Sequence, residues 1–175
     1  MLAALGFLLA ILANPSPAVA EQQDLWGPPS FTTGDTLGDL AIEDMEGNHI
    51  RLSSYRGKVL LLNFWVSWCG ECDEQAPLLL EIFGKYHPRG LDIVGITYDK
   101  DRAQADAFRR KHAIPWPIEF TGKGFWKNRM GRAFHVDDTG AILLIDTKGI
   151  LEGDFRDLSR LQHRLDQLLK PQRNK

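Results

Sequence analysis

The chain has 175 residues, 43% hydrophobic and 25% charged, a balance that supports one globular core. Its 21 Lys and Arg are interleaved with 23 Asp and Glu for a net charge of -2, so no basic stripe marks a nucleic-acid binder, and nucleic acid is not an expected partner. There is one C-x-x-C and no second, and the five histidines (His49, His87, His112, His135, His163) have no paired spacing, so no metal site is expected.

The N-terminus opens with an uncharged apolar run of twelve, Leu2 to Ala13, followed by Asn14-Pro15 and then Ala18-Val19-Ala20. The run is shorter than the roughly 20 apolar residues of a spanning helix and ends in an A-x-A pattern. Residues 1–20 therefore read as a secretory signal peptide cleaved near Ala20, although the segment carries no Lys or Arg. The expected location is periplasmic or otherwise extracytoplasmic, with membrane association only if the segment stays uncleaved. Residues 21–34 read as a flexible leader and 35–171 as a single domain.

Within that domain, Glu46 to Asn48 is a turn between short strands at Leu40 to Glu43 and His49 to Leu52, a hairpin. Lys58 to Val66 is a continuous apolar run broken only by Asn63, the pattern of a strand buried on both faces. "CDEQAPLLLEIFGKY" then places Leu78, Leu79, Ile82, Phe83 and Tyr86 at helical spacing, ending near Gly90. A second apolar strand starts at Leu91, and Asp101 caps a helix through Lys111 with Ala103, Ala107 and Phe108 on its inner face. "AIPWPIEF" reads as a Pro-rich connection and "FWKNRMGRAF" as a short helix. Ala141 to Asp146 and "ILEGDF" form an antiparallel pair about Thr147-Lys148-Gly149. Leu158, Leu161, Leu165, Leu168 and Leu169 make an amphipathic terminal helix stopped by Pro171.

Both cysteines fall in "WVSWCGECDEQAP", residues 65 to 77, where the buried strand meets the helix N-terminus. Three readings apply: a redox dithiol, half of a metal site, or a structural pair. A disulfide across so short a loop removes little unfolded-chain entropy, which makes it a poor staple. The free backbone N–H groups and positive dipole end of a helix N-terminus stabilise a thiolate, which favours the redox reading. Cys69, the more exposed, is expected to attack, and Cys72, one turn in, to resolve the mixed disulfide.

Trp65, Trp68, Cys69, Gly70, Cys72 and Pro77 have the W-x-x-W-C-x-x-C-x-x-x-x-P spacing of thioredoxin-fold proteins. With "LNFW" upstream and the hairpin in "LAIEDMEGNHIRLSSYRGK", the sequence from about Asp35 to Leu169 resembles the TlpA/ResA-like branch, exported thiol-disulfide oxidoreductases related to the AhpC/TSA peroxiredoxins. The resemblance implies an α/β thioredoxin-like fold: a central mixed β-sheet flanked by helices, with an N-terminal β-hairpin and an inserted helical segment. It implies a monomer acting on protein thiols or disulfides, in cytochrome c maturation or general disulfide reduction. No cofactor is expected beyond the Cys69–Cys72 disulfide, and with no G-x-G-x-x-G the electrons must come from a protein donor.

Two departures from the family pattern bear on the site. The cis-proline that faces the cysteines in such proteins is replaced by Gly140, after Thr139, so the Thr139–Gly140 bond is expected to be trans and the loop's docking of substrate is in question. Asn63 occupies the place of a buried carboxylate, as it does in the TlpA/ResA-like branch, and an amide is no general base for Cys72. Acids gather instead at Glu71, Asp73 and Glu74. Carboxylates oppose a nearby thiolate and so favour the disulfide form, which points to a reductant, although acids in a first helical turn also simply complement the macrodipole. Trp68 is expected to shield the attacking sulfur, and Trp116 and Trp126 to be core or lid packing. The basic "KGFWKNR" is read first as a solvated helix end, with an acidic partner as the alternative. A peroxidase of the related type needs a hydroxyl three residues before its reactive Cys, and Val66 stands there. A non-enzymatic adaptor, or a thiol pair holding Cu(I) or zinc, remains the rival from another class.

Overall fold

The computed structural model describes residues 29–169, so the signal-peptide and cleavage assignments and the stop at Pro171 lie outside the described residues. A hairpin, β1 (Ala41–Glu43) and β2 (His49–Arg51), precedes a five-stranded sheet. The sheet elements are β3 (Val59–Trp65), β4 (Leu91–Thr97), β5 (Ile118–Phe120), β6 (Ile142–Ile145) and β7 (Leu151–Asp154), in the order β5-β4-β3-β6-β7. β3, β4 and β5 run parallel, while β6 and β7 are antiparallel additions, giving the mixed sheet expected of a thioredoxin-like fold. The helices are α1 (Gly70–Tyr86), α2 (Arg102–Lys111), α3 (Arg129–Ala133) and α4 (Leu158–Leu168). β3 is buried at all seven positions because strands flank it on both sides and side chains cover both faces, which is why it reads as an unbroken apolar run.

The parallel register from Val59 opposite Leu91 to Trp65 opposite Thr97 brings the ends of β3 and β4 out together at the edge where both cysteines lie. Gly90, at φ +102°, makes the reversal from α1 into β4 that a side chain would strain.

Several expectations are corrected. "AIPWPIEF" is not only a connection, since Ile118–Phe120 forms β5 beside β4. On α1 the buried stripe is Cys72, Gln75, Ala76, Leu79, Ile82 and Tyr86, so Leu78 is 46% exposed. On α2 the inner face is Ala105 and Phe108, whereas Ala103 and Ala107 face solvent: Trp65 stacks on Phe108 at 4.5 Å between ring centroids, which fixes the rotation of the helix. Of the leader, residues 31–34 are held in place. Phe31 N–H donates to the Ala133 carbonyl and Gly34 N–H to that of Leu151, while the Phe31 ring stacks on Phe134, so folded structure begins before Asp35.

The inserted segment is a 3-10 turn, Phe125–Lys127, followed by α3, and it is tied to β5 through one buried acid. Glu119 accepts from Asn128 Nδ2 at 3.1 Å, and the fully buried Asn128 caps α3 by accepting from Gly131 N–H at 2.9 Å. Burial pushes the Glu119 carboxyl above the ordinary glutamate range, against the opposing pull of Asn128, Arg129 and Lys123. A group whose pKa is higher folded than unfolded binds its proton more tightly in the native state, so the stability it lends is present at low pH and lost as pH rises through the raised value. Glu119→Gln is therefore expected to raise the melting temperature near neutral pH and leave it unchanged in acid. A fall at neutral pH would show that the ionised carboxylate is what holds Asn128.

Candidate active site

The loop between β3 and α1 is drawn tight by an acid at the end of the neighbouring strand. Asp99, buried, accepts from Ser67 N–H at 3.0 Å, from the Ser67 hydroxyl at 2.9 Å and from the Thr97 hydroxyl at 2.9 Å. Cys69 N–H then bonds the Val66 carbonyl at 3.2 Å, and Cys69 becomes the N-cap of α1. Its Sγ accepts the Cys72 N–H at 3.0 Å, in the place where an oxygen usually caps a helix. The N-cap and third helical positions are one turn apart, so C-x-x-C closes here into a disulfide with Sγ atoms 2.28 Å and Cα atoms 5.2 Å apart. Cys69 is 8% exposed and Cys72 3%, the latter lying on the stripe of α1 that faces the core.

Beneath the disulfide runs a chain of amides. Asn63 Nδ2 donates to Gln75 Oε1 at 3.2 Å, and Gln75 Nε2 donates to the Gly140 carbonyl at 3.1 Å. Gln75 thus links the central strand to the loop facing the cysteines. No peptide bond among the described residues is cis, so Thr139–Gly140 is trans. Gly140 is buried at φ +80°, its N–H donates to the Phe64 carbonyl at 2.8 Å, and a Cβ there would lie 3.3 Å from the Glu71 carboxylate. The loop keeps its place by backbone and amide hydrogen bonds, with Thr139 half-buried beside it.

The acids of the first turn are not equivalent. Asp73 is paired with Lys111 and, at 2.7 Å, with His112, and these hydrogen bonds hold its carboxyl below the usual aspartate range. Glu71 and Glu74 form no ion pair among the described residues, so they alone carry the opposition to a thiolate expected of this turn. The helix end and these two carboxylates act in opposite senses on Cys69.

Trp68 is 70% exposed beside the disulfide, with its ring 6.3 Å from that of Phe125. Trp116 is core, tilted against Phe83. Trp126 is not packed, being 79% exposed, because Phe125 takes the inward position of that turn against Tyr98 at 4.4 Å. Gly70 opens α1 inside the Cys69–Cys72 loop with open space where a Cβ would sit, and Pro77 is exposed inside α1. Val66, at the position where a peroxidase needs a hydroxyl, is fully buried. Gln75 and Asp99 were not among the sequence candidates. Gln75 had a signal, a lone amide on the apolar stripe three residues after Cys72, whereas nothing in the sequence pairs Asp99 with Ser67.

A family model described as the AhpC/TSA family matches residues 33–152. The thiol-disulfide oxidoreductase ResA of Geobacillus thermodenitrificans is 27% identical over 132 residues, covering 73% of this chain and 76% of that protein. ResA of Geobacillus kaustophilus is 28% identical over 120 residues, covering 69% and 67%. Among solved structures, a protein assigned as the thiol:disulfide interchange protein DsbE of Chlorobium tepidum superposes with a TM-score of 0.69 at 27% identity, over 80% of this chain and 99% of that one.

Proposed function

The chain belongs to the AhpC/TSA family and is built as a thiol-disulfide oxidoreductase, and from that premise we propose that it reduces protein disulfides outside the cytoplasm. The observation that carries the disulfide-exchange chemistry is the sulfur cap: Cys69 Sγ receives the Cys72 N–H at the N-terminus of α1, so a nucleophilic thiolate formed there meets a donor already in place. In the reduced protein the Cys69 thiolate attacks one sulfur of a substrate disulfide. That bond breaks, one substrate sulfur leaves and takes up a proton, and Cys69 is joined to the other. Cys72 then loses its proton and attacks Cys69 Sγ, closing the intramolecular disulfide and releasing the second substrate thiol. Two electrons pass from the dithiol to the substrate, and a protein dithiol donor restores the pair.

Glu71 and Glu74 favour this direction, because unpaired carboxylates near Cys69 make the thiolate a less favourable resting state than the disulfide. The apolar leader and A-x-A pattern support the extracytoplasmic location. The test is stoichiometric. One equivalent of the reduced full chain, mixed with a disulfide-bonded protein, should release two substrate thiols and lose its own two. Loss of its own thiols without release from the substrate would contradict the reading.

A further inference from the structure

The inserted segment carries the most unusual surface beside the disulfide. Residues 120–136 contain no Asp or Glu and hold Lys123, Lys127, Arg129 and Arg132. The Lys100 chain lies over Gly124, close enough to meet a Cβ built there, and so adds a fifth cation. None of the five is ion-paired among the described residues, whereas Lys58, Arg109, Lys111, Arg156 and Arg164 all are. Exposed aromatic surface lies among these charges. Trp68, next to Cys69, meets Phe125, and Phe125 and Trp126 line a cavity of about 350 Å³ with Arg132, His135, Val136 and Asp137. Asp137 is the one carboxylate lining it; the neighbouring Asp138 is held by Arg156 in a two-bond pair.

Unpaired cations gain little for the fold. Set around exposed tryptophans and a concavity whose Phe125 wall meets Trp68, the neighbour of Cys69, they raise the local concentration of an anionic partner and give it aromatic surface to bury. We propose that the inserted segment docks the substrate and selects an acidic one: a polypeptide stretch with Asp or Glu and an apolar side chain within a few residues of the cysteine that joins Cys69. This rests on the oxidoreductase reading above and adds the substrate's chemistry to it. The concavity lined by Phe125 and Trp126 favours a chain segment over a flat lipid surface as the occupant.

The test uses the reduced full chain against two synthetic peptides of the same apolar core, each with its one cysteine capped by 2-mercaptoethanol, one flanked by Glu and the other by Lys. The neutral bis(2-hydroxyethyl) disulfide serves as reference. At low salt the acidic peptide should be reduced about tenfold faster than the basic one, with the gap closing as salt is raised. In the triple variant Lys123→Glu, Lys127→Glu, Arg132→Glu, all exposed positions, the preference should invert while the neutral reference reacts at the wild-type rate. Trp126→Ala should slow both peptides and leave the reference unchanged. Equal rates for the two peptides, with the neutral reagent still reduced, overturn the docking proposal alone. Failure to reduce even the neutral reagent overturns the oxidoreductase reading. Sedimentation with phosphatidylglycerol vesicles that the triple variant loses, without any peptide preference, assigns the surface to lipid and also overturns the proposal.

Discussion

Cys69→Ser is expected to lower disulfide exchange by at least about three orders of magnitude, the scale on which loss of a catalytic nucleophile is felt. Cys72→Ser is expected to behave differently, because it keeps the attacking sulfur and removes only the one that resolves. Its Cys69 should still open a substrate disulfide and then remain joined to it, a species visible as a higher band on non-reducing electrophoresis and cleared by added thiol. The asymmetry follows from position. Cys69 is the N-cap at the surface end of α1, whereas Cys72 is turned onto the stripe that packs against the core, where an incoming protein has little access. A mixed disulfide trapped by Cys69→Ser in place of Cys72→Ser would reverse the two roles.

Gly140→Pro, which restores the residue usual in thioredoxin-fold proteins, is expected to destabilise the chain by at least about 3 kcal/mol. Proline fixes φ near -65°, whereas Gly140 sits at +80°. The substitution also removes the N–H that donates to the Phe64 carbonyl, leaving that buried acceptor without its partner. Moving the loop to suit proline pulls the Gly140 carbonyl away from Gln75 Nε2, so Asn63 and Gln75 lose their common anchor as well. Gly140→Ala keeps the N–H and meets only the unfavourable φ and the nearby Glu71 carboxylate, so its cost is expected to be about 1 kcal/mol. Urea unfolding of the two variants measures both. A Gly140→Pro protein as stable as the parent would show that the Phe64 and Gln75 bonds do not define the loop.

What could be read from the sequence, and what could not, follows from the range of the interactions. β3 and the turn into α1 were legible because burial on both faces writes a continuous apolar run, and because C-x-x-C at a helix start is a local pattern. The rotation of α2 was not: Ala103, Ala105 and Ala107 are alike in the sequence, and the Trp65–Phe108 contact decides which of them turns inward. β5 was hidden between two prolines, since three residues carry too little pattern and its pairing with β4 is long-range. In the site, Asn63, Cys69 and Cys72 could be placed by spacing. Asp99, which binds Ser67 from 32 residues away, and the pairing of Asp73 with Lys111 and His112 depend on the folded sheet and on α2. That pairing matters chemically, because it takes one of the three first-turn carboxylates out of the argument about the thiolate.

The measurement that reaches the central claim most directly is the reduction potential of the Cys69–Cys72 pair, read by equilibrating the protein in defined thiol buffers and trapping free thiols, with Cys69→Ser as control. A reductant predicts a reversible two-electron couple near the thioredoxin value of about -270 mV or below it. A couple near about -120 mV, the range of a strong oxidant, would contradict the direction assigned here. A pair that never cycles would contradict the redox role altogether.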